Sequence, residues 1–82
     1  MIEVLYFAWV RERIGLPKER IETRAVTVAE LIGELKARDD RYAAAFADLR
    51  ALRVALDQEL SDFSAPLTGV REVAFFPPMT GG

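Results

Sequence analysis

Two apolar blocks of strand character stand at either end of this chain, with a helical stripe between them. Ile2-Glu3-Val4-Leu5-Tyr6-Phe7-Ala8-Trp9-Val10 is rich in β-branched and aromatic residues, and Glu3 is its single charge. That pattern predicts an N-terminal strand with both faces covered. Glu72-Val73-Ala74-Phe75-Phe76 has the same character and is ended by Pro77, which has no N–H for a ladder. Between them Val28, Leu31, Ile32 and Leu35 recur at i, i+3, i+4 and i+7, the apolar stripe of a helix. Thr27 and Glu30 form a Thr-x-x-Glu capping box at its start, with Val26 and Leu31 spaced for a hydrophobic staple.

Weaker patterns fill the intervals. Arg11-Glu12-Arg13-Ile14 predicts a short helical turn, stopped by Gly15 and Pro17. Glu19-Arg20-Ile21-Glu22-Thr23 alternates and predicts a second strand in a hairpin with the first. Asp39 or Asp40 is placed to cap a shorter helix through Tyr42, Phe46 and Leu49. Leu52-Arg53-Val54-Ala55-Leu56 reads as a strand, Asp57-Gln58-Glu59 as a turn, and Leu60 as the start of a short strand. Ser61 to Gly69 reads as a loop anchored by Phe63 and Leu67. Strand, strand, helix, strand, short strand, strand predicts an α+β domain with its main helix on one sheet face. The first and last strands are the most hydrophobic, which places them side by side and parallel at the centre of a mixed sheet of about five strands. This is the β-grasp, or ubiquitin-like, arrangement, expected over residues 1–76, with 77–82 as an extended tail.

Composition narrows the chemistry. The 82 residues suit one domain, and the net charge of −2 is spread without a basic stripe, so no nucleic acid is expected as a partner. No apolar run approaches the roughly 18 residues of a membrane span. The N-terminus lacks a signal-peptide n-region, and the absence of cysteine excludes a disulfide framework; a cytoplasmic location is the expectation. Without His or Cys there is no thiol nucleophile, no ordinary side-chain base near neutral pH and no soft metal ligand, so no metal site and no bound cofactor are expected. Asp39, Asp40, Glu19 and Glu22 lie among arginines and read as solvated surface.

The remaining unusual group is the end of the main chain. Pro77-Pro78 is followed by Met79-Thr80-Gly81-Gly82. Glycine has no Cβ and populates φ of either sign, so a Gly-Gly end can thread a narrow slot and present its carboxylate. An inert, frayed terminus is the alternative reading. Phe7 and Phe76 lie on strands expected to be neighbours near that tail, either as ordinary core or as an apolar patch for a partner.

Val4-Leu5-Tyr6-Phe7-Ala8 with Val10-Arg11-Glu12, and the ending Glu72 to Gly82, resemble the MoaD-type small subunits of molybdopterin synthase. Val54-Ala55 and Pro66-Leu67-Thr68 extend the resemblance along nearly the whole chain. Asp57 stands where that family often has Asn, Gly69-Val70-Arg71 replaces its usual turn, and Trp9 fills a commonly smaller or polar position.

The resemblance implies a sulfur carrier for molybdenum cofactor biosynthesis. An E1-like enzyme would use ATP and magnesium to adenylate Gly82. A sulfur donor, such as a cysteine desulfurase or a rhodanese-like protein, would then convert the acyl-adenylate to a thiocarboxylate. The tail would enter the large synthase subunit, in a 2:2 heterotetramer, and sulfur would pass to cyclic pyranopterin monophosphate. Gly82 would carry the reactive group and Gly81 would give clearance, while acid and base groups would belong to the large subunit. Phe7, Leu60 and Phe76 match the family's partner contact, joined by Pro77, Pro78, Met79 and Thr80 and more weakly by Arg11. A thiamin-type sulfur carrier, a ubiquitin-like protein modifier and a plain interaction module are the alternatives.

Overall fold

The computed structural model describes residues 1–78. Its strands are β1 (Ile2–Tyr6), β2 (Lys18–Ile21), β3 (Arg53–Leu56), β4 (Glu59–Ser61) and β5 (Glu72–Phe76), and its helices are α1 (Ala8–Ile14), α2 (Val28–Arg38) and α3 (Asp40–Ala45). They form one five-stranded sheet in the order β2-β1-β5-β3-β4. β1 runs parallel to β5, and the other pairs are antiparallel. The two most apolar strands therefore sit side by side within the sheet, as a β-grasp requires.

The core lies between the sheet and α2. Val28, Leu31, Ile32 and Leu35 are all buried against inward residues of alternating strand positions, including Ile2, Val4 and Tyr6 of β1 and Val73 and Phe75 of β5. Phe75 stacks on Tyr6 with centroids 6.3 Å apart and meets Phe46 edge-on at 4.9 Å, geometries favoured by the ring quadrupole.

The start of α2 is tied down on several sides. Thr27 Oγ1 accepts the Glu30 N–H, while the Val28 and Ala29 N–H groups donate to the carbonyls of Ala65 and Phe63. The loop after β4 thus satisfies donors that every helix start leaves open, with Leu67 buried and Phe63 half-buried as its anchors. The capping box is altered, because Glu30 Oε1 accepts from Val26 N–H instead of Thr27 N–H. Val26 is 60% exposed, so it closes no buried staple over Leu31.

Four further expectations are corrected. The first strand stops at Tyr6 instead of running to Val10. Val10 and Ile14, spaced i and i+4, are both buried in α1, so burial on a helical period overrides local β-propensity. The second strand is Lys18–Ile21 and does not reach Thr23, whose hydroxyl donates to Glu34. The helix capped by Asp39 ends at Ala45. Leu49 belongs to a separate 3-10 turn, Leu49–Ala51, because Asp48 accepts the Arg50 N–H and starts a new cap. Finally, Glu19 is not solvated surface. Its carboxylate accepts the hydroxyls of Tyr6 (2.8 Å) and Tyr42 (2.6 Å), and Arg38 approaches its other oxygen to 3.6 Å. β1, β2, α2 and α3 are joined at that carboxylate.

Candidate partner-docking face

The helices leave the opposite side of the sheet bare, and strand alternation decides what it displays. Directly paired residues on neighbouring strands share a face. The register Lys18↔Leu5↔Ala74↔Ala55↔Leu60 therefore runs as one row across all five strands on the helix-free side. Phe76, two positions beyond Ala74, pairs with Arg53 on the same side. Phe75, between them, points into the core and is fully buried.

Phe7 follows Tyr6 at the end of β1 that lies beside the end of β5. It is the N-cap of α1 in extended conformation, tied to β5 by its N–H donating to the Phe75 carbonyl at 3.1 Å. Phe7, Ala8, Ala74, Phe76 and Pro77 together line a concavity of about 430 Å³. Every side chain on its wall is apolar. Phe7 is 47% exposed and Leu60 72% exposed, while Phe76, Pro77 and Pro78 are half-buried. A cluster of this kind, at the point where the chain leaves β5, has the character of a protein-contact surface. Polar groups share the face: Lys18 opposite Leu5 on β2 and Arg53 beside Phe76, with Arg20 4.0 Å from Glu3 at the far end of the sheet.

The structure thus brings Phe7, Phe76 and Pro77 into one concavity and leaves Leu60 on the same face but nearer its edge. Arg11 is exposed on α1 and does not line the concavity. Met79, Thr80, Gly81 and Gly82 lie outside the described residues. Ala8 and Ala74 were missed by sequence reasoning. Ala74 was within reach, since a residue two before Phe76 on a strand shares its face. Ala8 was hidden inside the segment misread as strand.

Asp57 proves to have a positioning role of its own. Asp57 and Gln58 both have left-handed backbones, with φ of 50° and 72°, as a tight two-residue hairpin turn demands. Asp57 Oδ1 accepts N–H groups from Arg71 (3.0 Å) and Glu72 (2.9 Å), and its own N–H donates to the Glu72 carbonyl. The β3–β4 turn is thereby clamped to the start of β5, after the Gly69 turn at φ 74°. The clamp sets the register that carries Phe76 to the bare face.

Among the described residues no group of three or more His, Cys, Asp or Glu side chains could hold a metal ion, and no helix is long and apolar enough to cross a membrane. The sequence model of the ThiS family matches residues 4–82. The chain belongs to the ThiS family. Two relatives, each named molybdopterin synthase sulfur carrier subunit, align over all 82 residues and cover 100% of both chains. The one from Escherichia coli is 45% identical, and the one from Haemophilus influenzae is 35% identical. Among solved structures, the putative molybdopterin converting factor, subunit 1, from Pyrococcus furiosus is similar with a TM-score of 0.71. It is 24% identical and covers 95% of this chain and 97% of its own, a likeness of fold. The bare apolar face is therefore seen here on a ThiS-family β-grasp domain.

Proposed function

We propose that this chain is the sulfur carrier subunit of molybdopterin synthase, with the C-terminal carboxylate of Gly82 as its working group. The observation that carries the reading is the apolar concavity of Phe7, Ala8, Ala74, Phe76 and Pro77, set where β5 hands the chain to its Gly-Gly end. The names of the full-length relatives supply the pathway.

A carboxylate is a poor acyl electrophile, so it must first be activated. In the proposed cycle a Gly82 oxygen attacks the α-phosphorus of ATP on an E1-like enzyme, with magnesium, and pyrophosphate leaves. The terminal sulfur of a persulfide on a donor of the cysteine desulfurase or rhodanese type then attacks the acyl carbon, and AMP departs to leave an acyl disulfide. A second thiol attacks the donor's sulfur of that S–S bond, forming a disulfide with the donor, and Gly82 leaves as a thiocarboxylate. Approach to that carbon is least hindered at a residue without a Cβ. Gly81 gives clearance behind it, and Pro77-Pro78 fixes two φ angles so that the tail projects from the sheet with little added freedom.

The charged tail would then enter the large subunit of a 2:2 heterotetramer in the cytoplasm. Phe7, Leu60, Phe76, Pro77, Pro78, Met79 and Thr80 would form the contact, and Arg11 would lie at its edge. Sulfur would pass there to cyclic pyranopterin monophosphate. This chain supplies reach, docking surface and the acyl group; proton transfers belong to the partner.

The test is the mass of the C-terminal peptide after incubation with the activating enzyme, ATP, magnesium and a sulfur donor. One oxygen should be exchanged for sulfur at Gly82. Deleting Gly82 should abolish the exchange with the melting temperature unchanged. Sulfur on an internal residue, or an unmodified peptide under these conditions, would end the carrier reading. Transfer to a thiazole precursor instead of the pterin would favour the thiamin-type alternative.

A further inference from the structure

Ala8 stands at the junction of β1 and α1 with φ of 52°, in the left-handed region that non-glycine residues seldom occupy. Strained backbones of this kind persist where the surrounding structure over-determines them, and they gather at working sites. Here the frame is visible. The preceding Phe7 is pinned by its N–H to the Phe75 carbonyl at 3.1 Å, and its own carbonyl accepts the N–H groups of Val10 (3.1 Å) and Arg11 (3.4 Å). The following α1 is anchored by buried Val10 and Ile14. Ala8 must turn the chain between two fixed ends.

Glycine would make that turn without strain, as Gly15 does at the other end of α1 with φ of 90°. The methyl group of Ala8 is therefore held at a cost to the fold. It does not repay that cost in the interior, because Ala8 is exposed. It does line the apolar concavity, beside Phe7 and opposite Ala74, Phe76 and Pro77.

We propose that Ala8 is a recognition residue: its methyl group, kept in a strained conformation, completes the wall against which the partner subunit packs. The proposal rests on the docking face described under the proposed function, and it makes stability and binding respond to one substitution with opposite signs. In Ala8→Gly the strain is relieved, partly offset by the greater freedom of glycine in the unfolded chain. The melting temperature should stay level or rise by up to about 5 °C. Association with the large subunit should weaken about three- to fourfold, the transfer value of one methyl group. Ala8→Glu, which puts a charge on the same wall at an exposed position, should leave the melt nearly unchanged and weaken association by about tenfold or more.

The experiment is a calorimetric titration of full-length parent, Ala8→Gly, Ala8→Glu and Phe7→Ala proteins against the purified large subunit, with a thermal melt of each. Phe7→Ala reports on the docking face itself. If Phe7→Ala weakens binding while Ala8→Gly leaves it unchanged, the role of Ala8 is overturned and the face stands. A lower melting temperature in Ala8→Gly would also overturn it, because the methyl would then serve the fold. If neither Phe7→Ala nor Ala8→Glu affects association, the face is misplaced and the inference falls with it.

Discussion

Phe75 and Phe76 are the same side chain at adjacent positions, and the pleat of β5 gives them different work. Phe75 is fully buried, stacked on Tyr6 and edge-on to Phe46. Phe76 lies on the helix-free side, half-buried at the rim of the apolar concavity. Phe75→Ala should accordingly cost about 3–5 kcal/mol of folding stability, the range for truncating a core aromatic. Phe76→Ala should leave most of that stability in place and cost about 2 kcal/mol or more of partner binding, as an aromatic anchor does. Denaturant unfolding and titration against the large subunit check the pair. A reversal of the two effects would mean the strand's facing is wrong. Alternation alone places these two residues on opposite faces, and the helix-covered side takes the residue flanked by Val73 and Tyr6. What alternation could not reveal is that Ala8 joins Phe7 and Phe76 on the same wall, because that depends on the left-handed backbone that follows Phe7.

At the scale of elements, the clearest agreement between pattern and packing is α2. Its stripe at i, i+3, i+4 and i+7 is the buried face, and its Thr27 cap forms as the motif requires. Leu31 has no exposed surface, so Leu31→Ala should destabilise the domain by about 2–5 kcal/mol. In a chain of this size that is a large part of the total. An unchanged unfolding midpoint would show that Leu31 is not in the core. α1 is the element that pattern misjudged. Trp9 and Val10 favour a strand locally, yet a continued β1 would carry Val10 past the end of its pairing partners. The helix instead buries Val10 and Ile14 together and brings Trp9 under the guanidinium of Arg13, 5.4 Å from the ring centre.

For the whole molecule, the radius of gyration is 11.7 Å, the size expected of one close-packed domain of this length. Its most connected polar point is the Glu19 carboxylate, which accepts both tyrosine hydroxyls. Burial raises the Tyr42 phenol from the ordinary value of 10.0 to about 12, helped by the hydrogen bond to Glu19. Burial and the same carboxylate also push Tyr6 upward. Because the folded-state values lie above the unfolded ones, the neutral phenols contribute stability that is fully present below pH 10. That stability is lost as pH rises through about 12 for Tyr42. Melting temperature should therefore fall steeply in that alkaline window. Tyr42→Phe should start lower at neutral pH, for want of its hydrogen bond, and fall less steeply in the window. An equal slope in parent and variant would show that Tyr42 does not drive the transition.

The sequence by itself determined the strand-rich ends, the capped helix between them and hence the β-grasp, because short-range periodicity and capping chemistry are local properties of the chain. It also determined the glycine end, whose lack of side chains is a fact of composition. Tertiary structure alone decided that Val10 is helical, that Glu19 is a shared acceptor instead of a solvated charge, and that Asp57 clamps the start of β5. It also decided that Ala8 lines the docking face. Each of these depends on groups distant in sequence meeting in space: a carboxylate between two tyrosines, two main-chain N–H groups before one aspartate, a strand end fixed against β5. No local pattern encodes such meetings, since their free energy exists only once the sheet has closed around them.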